Sequence, residues 1–185
     1  AQTYQSIANG STSHRETATS KLESMHETPE VASAALADVA QVYRIQLGSR
    51  SNTIEDPLSQ SIYQSGEQLL RDRGIDDVDG AIELINVVES LANERAEFAD
   101  ISIPIFDARI KSAPDDIETL GRLAEAYEQK GDLQQCQLLL EPKLESLDTT
   151  EGARILGQIY AMRGDVDKAC PLLKPYCEDR LLLLN

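Results

Sequence analysis

The chain has 185 residues and a formal net charge of −15, with 32 Asp and Glu residues against 17 Lys and Arg. A hydrophobic share of 41% is enough to bury a sizeable core, while an aromatic share of only 4% disfavours a β-sandwich or barrel. The acidic charge also disfavours nucleic acid and anionic membranes as partners, because both are polyanions. No apolar run approaches the roughly 20 residues that span a bilayer, so direct membrane insertion is not expected.

Capping signals predict two helices in the first part of the chain. A Thr or Asp followed by proline is typical of a helix start, because proline tolerates the first turn. This pair occurs twice, and each segment that it opens ends at a glycine. The predicted helices are 28–48 and 56–74, with a further short one at 17–26.

Two more helices are predicted before residue 115. Asp79 is placed to cap a helix that carries Ile82 and Ile85 on one face. Pro104 suits the first turn of the next helix, and Pro114 ends it. Helices that follow one another through short joints favour helical hairpins over βαβ units.

From Ile117 onward the sequence repeats itself with a step of 33 residues. In each unit a Gly-Asp pair separates two apolar stretches of helical period, which predicts a helix, a tight turn and an antiparallel helix. Seven identities in register exceed what helical composition alone would give. They pair Leu123 with Leu156, Tyr127 with Tyr160, Gly131 with Gly164, Asp132 with Asp165, Leu139 with Leu172, Leu140 with Leu173 and Pro142 with Pro175.

Over 117–177 this pattern resembles the tetratricopeptide repeat (TPR) family, whose units place Leu-Gly, Tyr and a small residue at fixed spacing. The resemblance implies an all-α fold in which helical hairpins stack as a right-handed α-solenoid, an α-α superhelix. The positions that carry it are Leu120, Leu123, Ala124, Tyr127, Gly131, Cys136 and Leu140 in the first unit, and Leu156, Gly157, Tyr160, Gly164, Ala169 and Leu173 in the second.

The chain also departs from the family pattern. The opening large residue is Leu120 or Ala153 rather than an aromatic one, and prolines stand late in both second helices. Because proline removes a backbone hydrogen bond, Pro142, Pro171 and Pro175 are expected to kink or end those helices. The predicted organisation is an N-terminal helical segment at 1–53, degenerate helical hairpins at 54–114, and two TPR-like repeats at 115–185 with the start of a further helix at 180–184.

Motifs for chemistry are scarce. His14 and His26 are the only histidines, and their separation does not suit a pair of helical metal ligands. The acidic segment 76–80 fails as a calcium loop, because Ile75 and Asn86 fall at the ligand positions when Gly80 is aligned with the loop glycine. We therefore predict a protein that is not an enzyme, with no cofactor and no metal.

Three cysteines, Cys136, Cys170 and Cys177, leave one unpaired in any disulfide scheme, which favours reduced thiols. They are predicted to be core residues, above all Cys136 at a small-residue position. A cytoplasmic location is favoured, with a periplasmic or secreted one as the alternative. The chain begins at Ala1 rather than Met, which indicates a piece of a longer protein, and a mature secreted chain is the other interpretation.

The resemblance implies that first helices line a concave groove that binds a partner protein or peptide. A stripe of carboxylates there predicts a basic or neutral partner segment. The alternatives are a helical accessory domain of a larger enzyme or regulator, and a homodimer formed through the leucine-rich C-terminal end. The predicted groove residues are Glu118, Glu125, Glu128, Gln129, Glu151, Arg154, Gln158 and Met162.

Overall fold

The computed structural model describes residues 35–48, 56–92 and 94–182, and every regular element in these ranges is helical. Within them, no helix combines the length and apolar character that crossing a membrane requires. This confirms the all-α prediction for the described chain; the helix predicted at 17–26 and the start of the next at Thr28 lie outside it. The α-helices are α1 (Leu36–Leu47), α2 (Pro57–Arg73), α3 (Val78–Val88), α4 (Arg95–Ser112), α5 (Ile117–Gln129), α6 (Leu133–Leu140), α7 (Glu151–Met162) and α8 (Val166–Leu182). Short 3-10 segments, Glu89–Leu91 and Glu141–Ser146, follow α3 and α6.

Aspartate caps fix the starts of several helices. Asp56 accepts a hydrogen bond from the backbone N–H of Ser59 at 3.1 Å, as the Asp-Pro pair predicts. At α3 the prediction of Asp79 as the cap is wrong: Asp77 accepts from the N–H of Gly80 at 3.1 Å, and the helix starts earlier. The second carboxylate oxygen of Asp77 accepts from the N–H of Leu36 at 3.0 Å, so one side chain serves the first turns of both α1 and α3.

Helix α4 begins well before the predicted start at Pro104. The proline lies inside a helix of 18 residues, and the turns before it carry Phe98 and Ile101, which are both buried. Burial of these large side chains outweighs the cost of the hydrogen bond that the proline removes. The start was mispredicted because tertiary packing overrides a local helix-breaking signal.

Two buried clusters form the core, and α5 contributes to both. The first cluster joins α1, α2, α3 and α4, and Leu123 of α5 completes it. The second joins α5 to α6, α7 and α8, with Leu120 and Ala124 as the contribution of α5. Helix α5 packs against α4, α6 and α7, and α1 packs mainly against α3. The apolar face of each helix is thus covered by helices that lie next to it or one further along the chain.

The two Gly-Asp turns have the same geometry, as the repeat predicts. Gly131 and Gly164 have positive φ values of 76° and 79°, which a side chain would make unfavourable. In each turn the aspartate N–H donates a hydrogen bond of 2.9 Å to the carbonyl of the tyrosine five residues earlier, Tyr127 or Tyr160. The 33-residue repeat in sequence is therefore a repeat in local structure.

Most of the repeat positions are packing positions. Gly157 leaves room for the next helix, since a Cβ there would lie 2.7 Å from Cγ of Leu173. The Cys136 thiol is buried and donates to the carbonyl of Ala124 at 3.2 Å, and burial raises its pKa to about 11. Tyr127 and Leu173 are half-buried. The other positions with side chains are buried: Leu120, Leu123, Ala124, Cys136, Leu140, Leu156, Tyr160 and Ala169.

The second helices differ in how they accommodate proline. Helix α6 ends at Leu140, and Pro142 lies in the 3-10 segment that follows, as expected. Helix α8 continues through Pro171 and Pro175 to Leu182, so the further helix predicted from 180 is wrong. Cys170 and Cys177 are exposed on this helix and are not core residues.

Leu156 tests the assignment of the packing face. Its side chain is fully buried in the second cluster, so Leu156→Ala should lower the free energy of unfolding by about 2–5 kcal/mol through lost burial and a residual cavity. The matched control is Leu138→Ala, because Leu138 is 59% exposed on α6 and its loss should change stability by less than about 0.5 kcal/mol. Urea denaturation of both variants measures the difference, and equal midpoints would contradict the assignment.

Candidate functional site

Arg154 on α7 gathers half of the predicted groove residues into one ion-pair cluster. Its two terminal nitrogens donate to the Glu128 carboxylate at 2.7 and 3.2 Å, so the guanidinium binds this group with both arms. Its Nε donates to Glu151 at 2.6 Å, and Nη1 donates to the side-chain oxygen of Gln158 at 2.8 Å. We call Glu128, Glu151, Arg154 and Gln158 the Arg154 cluster. Two of the predicted groove carboxylates, Glu128 and Glu151, are therefore paired with Arg154.

The cluster extends to the C-terminal helix through Glu151. The other oxygen of Glu151 accepts hydrogen bonds from the Tyr176 hydroxyl at 2.6 Å and from Arg180 at 3.0 Å. Burial acts to raise the pKa of Glu151, but the hydrogen bonds from Tyr176 and Arg154 outweigh it and lower the pKa. Tyr176 and Arg180 are not among the predicted groove residues, because the prolines before them were expected to kink or end the helix that brings them here.

A second arginine forms a similar junction on α5. Arg122 donates to the Glu89 carboxylate at 2.8 Å, contacts Asn86, and lies 4.8 Å from the centre of the Phe106 ring. Its charge is thus balanced by α3, while its flat guanidinium covers an aromatic ring of α4. Only the charge of Arg122 was visible in the sequence, and no spacing rule connects it to Glu89.

Glu125 lies between these two arginine junctions. It is half-buried, and no hydrogen bond joins its carboxylate to another described residue. Burial raises its pKa, the nearby carboxylates of Glu89 and Glu151 add to this, and Arg154 and Arg122 act in the opposite direction. Glu125 is therefore a carboxylate whose charge is only partly compensated.

Glu118 lies at the edge of a cavity of about 470 Å³ where α1, α3 and α5 begin. Arg109 spans one side of it, donating to Asp79 at 2.8 Å and to Asp116 at 3.0 Å. Glu118 is exposed, and no ion pair joins it to the rest of the described chain. We call this the N-terminal cavity; its charged lining consists of Asp77, Asp79, Glu83, Asp116 and Glu118 with Arg109 and Arg122.

The remaining predicted groove residues stand at the far ends of their helices. Gln129 is half-buried at the end of α5, and Met162 is 66% exposed at the end of α7. The eight residues therefore do not converge on one point but follow α5 and α7 from Glu118 to Met162. These residues lie on the solvent-facing side of α5 and α7, next to α3. We call the solvent-facing side of these three helices the first-helix surface.

The arrangement offers paired and unpaired charges along the surface of α5 and α7. Among the described residues, no group of three or more His, Cys, Asp or Glu side chains is placed to hold a metal ion. Comparison with protein-family models, with curated proteins and with solved structures found no match for this chain. A functional interpretation therefore rests on the geometry and electrostatics of the residues above.

The homodimer through the C-terminal end stays a prediction. Leu181 and Leu182 are 61% and 76% exposed at the end of α8, and the leucines that follow lie outside the described residues. If this end pairs with a second copy, Leu182→Glu should yield a monomer, because a buried charge is costly at an apolar contact. Light scattering of the wild type and the variant measures the mass; a wild type that is monomeric at high concentration would contradict the prediction.

Glu125 gives a pH-dependent prediction for stability. A carboxyl group whose pKa is raised in the folded state destabilises that state when it is ionised, and this penalty disappears as the pH falls through the folded-state pKa. Glu125→Gln should therefore raise the melting temperature at neutral pH, and the gain should shrink on acidification. Glu118→Gln is the matched control, because Glu118 is exposed on the same helix. Thermal unfolding of both variants across the acidic range measures the effect. A gain in melting temperature that does not depend on pH would show that the ionised carboxylate of Glu125 does not destabilise the fold.

Proposed function

We propose that the chain is a non-catalytic protein-interaction module whose first-helix surface binds a basic or neutral segment of a partner protein. The observation that carries this proposal is the N-terminal cavity, which opens beside Glu118 and has five carboxylates against two guanidinium groups in its lining. A cationic side chain would be attracted into such a site, because an excess of one sign of charge on a concave surface concentrates the field.

The proposal includes a TPR-type solenoid arrangement of the two hairpins. Two features support it: the Gly131 and Gly164 turns share one geometry, and α5 packs against α7 of the next unit as well as against its own partner α6. Stacking of this kind places the first helices of successive units side by side. A scaffold role follows, since such a surface can hold an extended partner segment.

The arginine junctions are expected to make this surface rigid before a partner arrives. Arg122 joins α5 to α3, and Arg154 joins α5 to α7, so the three first helices are connected through their charged side chains. These pairs are only partly buried, so solvent still screens them and their main effect is to fix orientation. A preorganised surface loses less entropy on binding. In this arrangement Glu118 and Glu125 are the carboxylates left to contact a partner.

A selection from a random peptide library displayed on phage tests the proposal, with the full chain immobilised. We expect the retained peptides to be enriched in Lys and Arg, and the double variant Glu118→Lys, Glu125→Lys should bind them at least about tenfold more weakly. The loss should fall mainly on the association rate and should diminish in high salt, because exposed charges are screened over about 10 Å at 0.1 M.

The control for this experiment is the double variant Glu97→Lys, Glu178→Lys. Both glutamates are exposed, Glu97 on α4 and Glu178 on α8, so the change of net charge is the same but lies outside the first-helix surface. Peptides that bind the Glu118 and Glu125 variant as well as the wild type, or that are retained regardless of salt, would place the interaction elsewhere.

A further inference from the structure

A second cavity lies on another side of the molecule, between the 3-10 segment after α6 and helix α8. It has a volume of about 420 Å³ and shares no lining residue with the N-terminal cavity or with the predicted groove. We call it the α8 groove; its lining is Leu144, Glu145, Asp148, Tyr160, Asp167, Lys168, Pro171, Leu172 and Pro175.

The inside of the α8 groove is apolar. Tyr160 and Leu172 are buried beneath it, while Leu144 is 42% exposed and Pro171 is exposed on the two sides. Large apolar side chains that remain open to solvent beside a cavity are typical of sites that receive an apolar group from a partner. The cavity has room for such a side chain.

The rim of the α8 groove is acidic. Glu145, Asp148 and Asp167 stand on it, and Lys168 is its only cation among the lining residues. That lysine is already engaged, since its ammonium group lies 3.0 Å from the Asp165 carboxylate and 5.3 Å from the centre of the Tyr160 ring. The rim therefore keeps an excess of negative charge.

The two prolines of α8 lack the backbone N–H groups that would donate to two carbonyls of this helix. Proline has no N–H, so Pro171 cannot donate to the carbonyl of Asp167, and Pro175 cannot donate to the carbonyl of Pro171. Residues four apart in a helix share one face, and all three of these residues line the groove. The carbonyls of Asp167 and Pro171 therefore lack the donor four residues later that a regular helix would supply.

We propose that the α8 groove is a second docking site, which binds a short segment of a partner protein that carries an apolar side chain next to a Lys or Arg. The apolar side chain contacts Tyr160, Leu172 and Leu144. The cation lies at the rim beside Glu145 and Asp167, and its N–H groups donate to the carboxylates and to the carbonyl groups left open by the prolines. Because this site is separate from the first-helix surface, it does not depend on the function proposed above, and a chain with both sites could join two partners.

Charge variants test the acidic rim of the α8 groove separately from the first-helix surface. The probe is a set of peptides selected from a random phage-displayed library on the full wild-type chain and depleted on the variant Glu145→Lys, Asp167→Lys. We expect these peptides to share an apolar residue next to Lys or Arg. Fluorescence anisotropy should show binding at least about tenfold weaker to Glu145→Gln, Asp167→Asn, and unchanged binding to Glu118→Gln, Glu125→Gln, which alters only the first-helix surface.

Replacing the prolines of α8 should change stability and peptide binding in opposite directions, which a purely structural role would not produce. In the double variant Pro171→Ala, Pro175→Ala the backbone N–H groups return, so the helix should melt at a higher temperature while the peptides bind several-fold more weakly. Circular dichroism and anisotropy on the same samples measure the two effects. The proposal is overturned if this variant binds as tightly as the wild type, if the selected peptides lack a cation, or if the variants of the first-helix surface reduce their binding equally.

Discussion

The packing of α5 on both sides is the constraint on which the rest of the structure depends. Leu123 completes the N-terminal cluster, while Leu120 and Ala124, within one turn of it, belong to the C-terminal cluster. The buried positions of α5 cover more than half of its circumference, so only a narrow strip stays open to solvent, and Glu118, Arg122 and Glu125 lie on that strip. The position of the candidate site is therefore a consequence of how the core is divided.

Arginine side chains offset part of the acidic charge at contacts between helices. With a net charge of −15, the chain repels itself, and three of its arginines are placed where two helices meet. Arg44 pairs with Glu83, Arg122 with Glu89 at the end of α3, and Arg154 with Glu128, so that alternate helices, α1, α3, α5 and α7, are joined by the same kind of contact. Glu118 and Glu125 remain without an ion pair within the described chain, and the proposed preference of the first-helix surface for cations rests on them.

Proline has two opposite effects in this molecule. After α6 it ends the helix, and the 3-10 segment that follows forms one wall of the α8 groove. Within α4, and at Pro171 of α8, it is tolerated, because buried side chains on either side hold the helix together. The continuation of α8 is what brings Tyr176 and Arg180 to Glu151, so the extent of the candidate site depends on a helix that local rules would have ended.

The sequence by itself determined the helical class, the hairpin units and the residues that pack between them. These follow from local signals: the Gly-Asp turns need a positive φ that glycine permits, and the period of Leu120, Leu123 and Ala124 marks a buried face. Only the tertiary structure decided which carboxylates are open, because Arg154 and Arg122 select their partners from helices that are distant along the chain. It also decided that Asp77 rather than Asp79 begins α3, since Asp77 can serve two helix ends at once. Local chemistry thus fixes the elements, and the charge on their surfaces is set by which elements become neighbours.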